Sequence, residues 1–168
     1  MNEHAHAEIV QLDQFGSRKK AQHIKEQILA LDDDLLAWIE VYLETAVQGV
    51  RSHDIAEKIE THLERFVVFF FKRYGHERIS TVLKRDVLAW MMALQAEETE
   101  EGEPAALAPA TVNNHLTSFS GFTTWSHAQR DDLFALGNPC SGVKELPLPA
   151  LVPRTLSQGV TVNTKWRN

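Results

Sequence analysis

Residues 107–139 read LAPATVNNHLTSFSGFTTWSHAQRDDLFALGNP, and this stretch decides the fold. Pro109 biases the chain before it away from helix. Thr111 predicts an N-cap, because its hydroxyl can accept from first-turn amides. Val112, Leu116 and Phe119 then recur at helical spacing, with Phe122 or Thr123 extending the stripe. The helix is expected to end near His127, and Asn138-Pro139 closes the unit with a turn. Between Pro104 and Ala128 there is no Asp, Glu, Lys or Arg. Surface helices are usually charged, so this neutral run has two readings. One is a contact surface whose amides and hydroxyls meet base edges or phosphates. The other is a helix buried on most sides. Gly121 costs about 1 kcal/mol in a helix interior and points to close packing against a neighbour.

Working outward, the pattern stays helical, with no repeat and no sustained period-two alternation before the tail. A short helix is expected over 21–30. Asp32, Asp33 and Asp34 then precede the amphipathic set Leu35, Leu36, Trp38, Ile39, Tyr42 and Leu43. They read as caps and charge complements of a helix N-terminus rather than as a metal site. Asp54 and Glu57 form a capping-box-like pair ahead of Ile55, Ile59, Leu63, Phe66, Val67 and Phe70, and Gly75 is a plausible stop. Length and continuity favour helix over strand for 66–71. A further helix begins at Ser80 or Thr81 and buries Leu83, Val87, Trp90, Met91 and Leu94. Lys84 and Arg85 fall near its first turn, where bases oppose the helix dipole, a mild cost that a phosphate neighbour would offset; Asp86 partly balances them. Residues 96–109 are acidic and Pro-containing and read as an exposed flexible loop. The expected fold class is all-α: a small bundle of four to five helices with an N-terminal helical extension.

The 168 residues suit one large domain or one domain with extensions, and 43% hydrophobic content supports a folded core. No apolar run approaches the roughly 18 residues of a membrane span, and MNEHAHAEIV lacks the plan of an export signal. The cytoplasm is the expected compartment. Cys140 is the single cysteine, so no internal disulfide or cysteine-based zinc cage can form, and it reads as a small hydrophobe. A net charge of −6 argues, taken whole, against nucleic acid. Its distribution is less adverse. Residues 1–50 carry nine acids and four bases, whereas 51–95 carry eight bases and six acids.

In their order and spacing these elements resemble the core-binding (SAM-like N-terminal) domain of tyrosine recombinases, the phage-integrase and Xer-like site-specific recombinases. The match rests on Leu63, Phe66, Phe70 and Tyr74; on Ile79-Ser80-Thr81 leading into Asp86–Trp90; on Leu107–Asn113 opening a helix that runs to Phe122 and Trp125; and on Asn138-Pro139, Val143-Lys144 and Pro153–Ser157. The resemblance implies an N-terminal extension over 1–50, a core-binding domain over 51–146, and a linker with a divergent tail over 147–168. It implies double-stranded DNA as partner, with other recombinase protomers on the DNA, and neither membrane nor small-molecule substrate. By position it assigns DNA contact to Lys84, Arg85, Thr111, Asn113, Asn114, His115 and Ser118, with Lys144 and Arg154 on a linker crossing the backbone. Basic residues are often found in that family around positions 118–120; this chain has none there, which implies weak affinity.

Catalysis in such recombinases needs a Tyr nucleophile supported by Arg, Lys and His groups. The His-x-x-Arg strings at His62–Arg65 and His127–Arg130 both read as decoys, since the only tyrosines, Tyr42 and Tyr74, precede the second. The sequence thus suggests a non-catalytic portion, truncated before a catalytic domain. No phosphate loop, H-E-x-x-H or G-x-S-x-G is present; no cofactor or metal is expected, and His4 and His6 read as terminus. The competing reading is a helical protein-interaction module without DNA affinity, built on Leu35, Leu36, Trp38 and Ile39.

Overall fold

A computed structural model describes residues 3–96 and 106–150, with side chains from Gly16 onward. The described residues are helical, with no strand among them. Helix α1 spans Glu3–Leu29, α2 Leu35–Tyr42, α3 His53–Tyr74, α4 Lys84–Gln95 and α5 Pro109–Gln129. Helix α2 runs into a π-helical turn at Leu43–Val47, and a 3-10 turn at Ile79–Thr81 precedes α4. This is the small helical bundle that the apolar periodicity predicts, and the segment 66–71 is helix.

The local signals act unevenly. Asp34 caps α2, its Oδ1 accepting from Leu36 N at 2.9 Å and Ala37 N at 3.3 Å. Asp33 does something else. Its carboxylate accepts from Ser80 N at 2.7 Å, Ser80 Oγ at 2.6 Å and Arg78 Nε at 3.0 Å, tying the α1–α2 turn to the 3-10 turn. Gly75 ends α3 in the left-handed conformation, φ 70°, as expected. The Asp54–Glu57 capping box does not form. Ser52 occupies the cap without a side-chain bond, which puts Asp54 inside the first turn. Likewise α5 begins two residues before Thr111, with Ala108 at the cap and Pro109 at N1, where its missing N–H costs nothing. Helix α4 begins at Lys84 rather than Ser80 or Thr81, because the 3-10 turn intervenes. Helix α1 extends far beyond the expected 21–30; Ile28 in its last turns is buried and Ile24 half-buried.

Helix α5 is the centre of the bundle. Phe119 meets Phe66 of α3 (ring centroids 3.9 Å apart) and Trp90 of α4 (5.7 Å). Phe122 and Trp125 pack on Tyr42 of α2 at 5.5 and 5.4 Å. Trp38, Leu35 and Ile39 belong to the same continuous core as α3, α4 and α5. After α5 the chain makes a compact turn that buries Leu133, Phe134 and Cys140. Asn138 Oδ1 accepts from Cys140 N at 3.0 Å, the turn chemistry that Asn-Pro suggests. Burial pushes the Cys140 thiol up to about 11, despite a Thr123 hydrogen bond. It is a core residue whose surroundings disfavour the thiolate. The strap that follows returns along α5 to Asn113, whose Nδ2 donates to Leu146 O at 2.9 Å and whose Oδ1 accepts from Leu146 N at 2.7 Å.

Candidate nucleic-acid interface

The residues that the recombinase resemblance assigns to DNA separate into three groups. Lys84, Arg85 and Lys144 are exposed. Lys84 and Arg85 occupy the first two positions of α4 because Leu83, in extended conformation, is its cap. Asp86 does not offset them at the surface. It is fully buried, one carboxylate oxygen accepting from Leu83 N at 2.9 Å and the other from the Tyr74 hydroxyl. The strap reaches this corner, since a Cβ placed on Gly142 would lie 3.2 Å from Lys84 Nζ. Lys144 is two residues further along. Arg73 joins from α3, its Nε donating to Tyr74 Oη at 3.3 Å. Among the described residues, Lys84, Arg85, Arg73 and Lys144 take part in no ion pair. Lys84 and Arg85 stand beside the unpaired N–H groups of a helix start, with Arg73 linked to α4 through Tyr74 and Asp86, and Lys144 two residues along the strap from Gly142, a set of cations suited to phosphate oxygens. Sequence reasoning missed Arg73; its signal was adjacency to Tyr74, whose partner lies twelve residues on.

The second group is taken up inside the fold. Asn113 holds the strap, and buried His115 donates from Nδ1 to Thr111 O at 2.8 Å, which leaves Nε2 to accept from Arg65 Nη1 at 3.4 Å. Thr111 is half-buried and offers that carbonyl. In the third group, Asn114 is exposed and Ser118 half-exposed, and both line a groove between α2, α3 and α5. Ser118 Oγ is 2.8 Å from His62 Nδ1, and the His62 ring lies on the His115 ring at 3.9 Å. Burial, then His115, Arg65 and Lys58, press the His62 imidazole down to about 4, so it is neutral at pH 7. Arg154 lies outside the described residues.

The neutral run of α5 is explained mostly by burial. Phe122 O accepts from Ser126 Oγ at 2.9 Å, Asn113 O from Thr117 Oγ1 at 2.9 Å and Ser120 O from Thr123 Oγ1 at 3.2 Å. Hydroxyls that return to their own helix are satisfied while it sits among three others; among the described residues of α5, the buried His127 Nδ1 is left without a partner. Asn114, Thr117, Gly121 and Thr124 remain exposed and, at 100° per residue, fall in one sector of about 80°. Both His-x-x-Arg strings have structural settings. Arg65 reaches His115, and Arg130 donates to Leu31 O at 3.3 Å while lying over Trp38. No helix among the described residues is long and apolar enough to cross a membrane. Comparisons with protein-family models, curated proteins and solved structures returned no match.

Proposed function

We propose that this chain binds duplex DNA as the non-catalytic N-terminal arm of a site-specific recombinase, with phosphates held at the Lys84–Arg85–Lys144 corner and Arg73 beside it. The observation that carries the reading is the first turn of α4. Two bases sit where the helix dipole disfavours them, their sequence neighbour Asp86 is turned into the core, and neither is ion-paired among the described residues. The uncharged exposed sector of α5 is a second surface on which hydrogen bonds to DNA would not meet repulsion. The experiment is a fluorescence-anisotropy titration of labelled duplex at two salt concentrations with the wild type, Lys84→Gln and Arg85→Gln. Weaker binding in each variant and at higher salt is the expected result. Affinity untouched by both substitutions would remove the reading.

A protein-interaction role has one specific observation in its favour, on a different surface from the one the sequence suggested. Trp38 is fully buried and cannot dock a partner. The outer faces of α3 and α4 instead leave Phe71 50% and Met92 69% exposed, with Val68 beside a hollow of about 360 Å³. Concentration-dependent self-association lost in Met92→Lys, with no DNA binding, would favour this reading.

A further inference from the structure

The apolar stripe of α3 starts about two turns before its core, which begins at Leu63. Ile55 stays 47% exposed and Ile59 half-buried. With Tyr42 and Val47 they wall a groove of about 450 Å³ closed on its far side by α5, within the size range of small-ligand sites. Part of the wall is the π-helical turn Leu43–Val47 that ends α2, a kind of distortion frequent at functional sites. Gly121 forms the floor; a Cβ there would come to 3.1 Å from the Tyr42 hydroxyl.

The polar side of the groove has one sign. Arg51 and Lys58 line it, both exposed and in no ion pair among the described residues. The other polar groups are neutral: the Asn114 amide, the Thr117 and Ser118 hydroxyls and the His62 imidazole. No carboxylate is in the lining; Asp54 and Glu57 border Lys58 in a separate hollow. An apolar wall facing two cations and several neutral donors complements a molecule with an apolar body and one anionic end. It would repel a cation and leave a neutral ligand's partners half used.

We propose that this groove binds a small organic anion, a carboxylate with an apolar or aromatic body. The carboxylate lies between Arg51 and Lys58 and the body rests on Ile55, Ile59 and Tyr42. The site shares no cation with the Lys84 corner, although Asn114, Thr117 and Gly121 of the exposed α5 sector line it, so the Lys84 and Lys58 variants tell the two proposals apart.

The test is an amide-resolved NMR titration of the full chain with 3-phenylpropionate. Its neutral counterpart 3-phenylpropanamide and inorganic phosphate serve as the two half-ligands. Shifts should centre on Ile55, Lys58, His62, Ser118 and Gly121. The acid should bind at least fivefold more tightly than the amide or phosphate. Arg51→Gln and Lys58→Gln should each weaken it severalfold, Ile55→Glu should abolish it, and Lys84→Gln should leave it unchanged. These side chains are exposed, so the variants should melt as the wild type does. Equal affinity for acid and amide, shifts centred elsewhere, or wild-type binding by the Arg51→Gln, Lys58→Gln double variant would overturn the proposal.

Discussion

His62 sits where a charge is costly. Its ring faces the His115 ring at 3.9 Å, its Nδ1 is 2.8 Å from Ser118 Oγ, and Lys58 and Arg65 are nearby cations. Burial and these neighbours hold it near 4, against about 6.5 for an unperturbed histidine. Between those values the unfolded chain takes up the proton and the folded chain does not. Stability is therefore full above about pH 6.5 and falls as the pH drops towards 4. The ring is only partly buried, so screening limits the loss to on the order of 1 kcal/mol. The urea midpoint should fall between pH 7 and pH 5 in the wild type and fall less in His62→Asn; equal falls would show that other groups carry the acid sensitivity. Asp86 gives a second residue-scale outcome. Asp86→Ala removes the acceptor of both the Tyr74 hydroxyl, which keeps Arg73 as a neighbour, and the Leu83 amide, and should cost about 3 kcal/mol in urea unfolding, more than Tyr74→Phe, which removes one partner.

At the scale of the element, Gly121 tests how α5 is seated. Gly→Ala in a helix interior normally adds about 1 kcal/mol. Here the new methyl meets the Tyr42 hydroxyl at 3.1 Å, and Tyr42 is held by Phe122 and Trp125. Gly121→Ala alone should give little or no gain, and the gain should reappear in a Tyr42→Phe background. A double-mutant cycle with coupling below about 0.3 kcal/mol would refute the contact. The close packing at Gly121 was legible in the sequence, because an unforced glycine in a helix asks for a neighbour. So were α2 to α5 and their buried stripes, whose periodicity reports one buried face directly. The surroundings of α5 were less so. A sequence shows that Asn113, His115, Thr123 and Ser126 are uncharged, and that fits either a DNA-facing surface or a helix enclosed by α2, α3, α4 and the strap. Only tertiary packing separates the two, and for these four side chains it buries them. Helix boundaries failed for a local reason: hydroxyls and carboxylates signal caps, but Ala108 occupies its cap through backbone conformation alone, and at Leu83 the carboxylate involved is that of Asp86, three residues inside the helix, accepting from Leu83 N. The length of α1 was hidden because, among its described side chains, burial is confined to Ile24, Gln27 and Ile28 near its end.

For the whole molecule, a charge of −6 means that DNA binding must be carried by a local cluster against a repulsive background. That makes the salt dependence diagnostic. If Lys84, Arg85 and Lys144 each neutralise one phosphate, the logarithm of affinity falls with the logarithm of salt with a slope of about −2.7. Binding should then weaken roughly 40-fold between 50 and 200 mM salt. Each single Gln substitution should reduce the slope by about one unit. Arg73→Gln has a mixed expectation, since its guanidinium also meets Tyr74: a smaller slope change with a small loss of stability. A protein that touched DNA only through the neutral sector of α5 would behave differently. Its affinity would be nearly independent of salt and would respond to Asn114→Ala and not to Lys84→Gln. Measuring slope and variant response on one duplex therefore distinguishes a phosphate-gripping corner from a groove-reading helix, because counterion release follows the number of cations engaged and not the number of hydrogen bonds made.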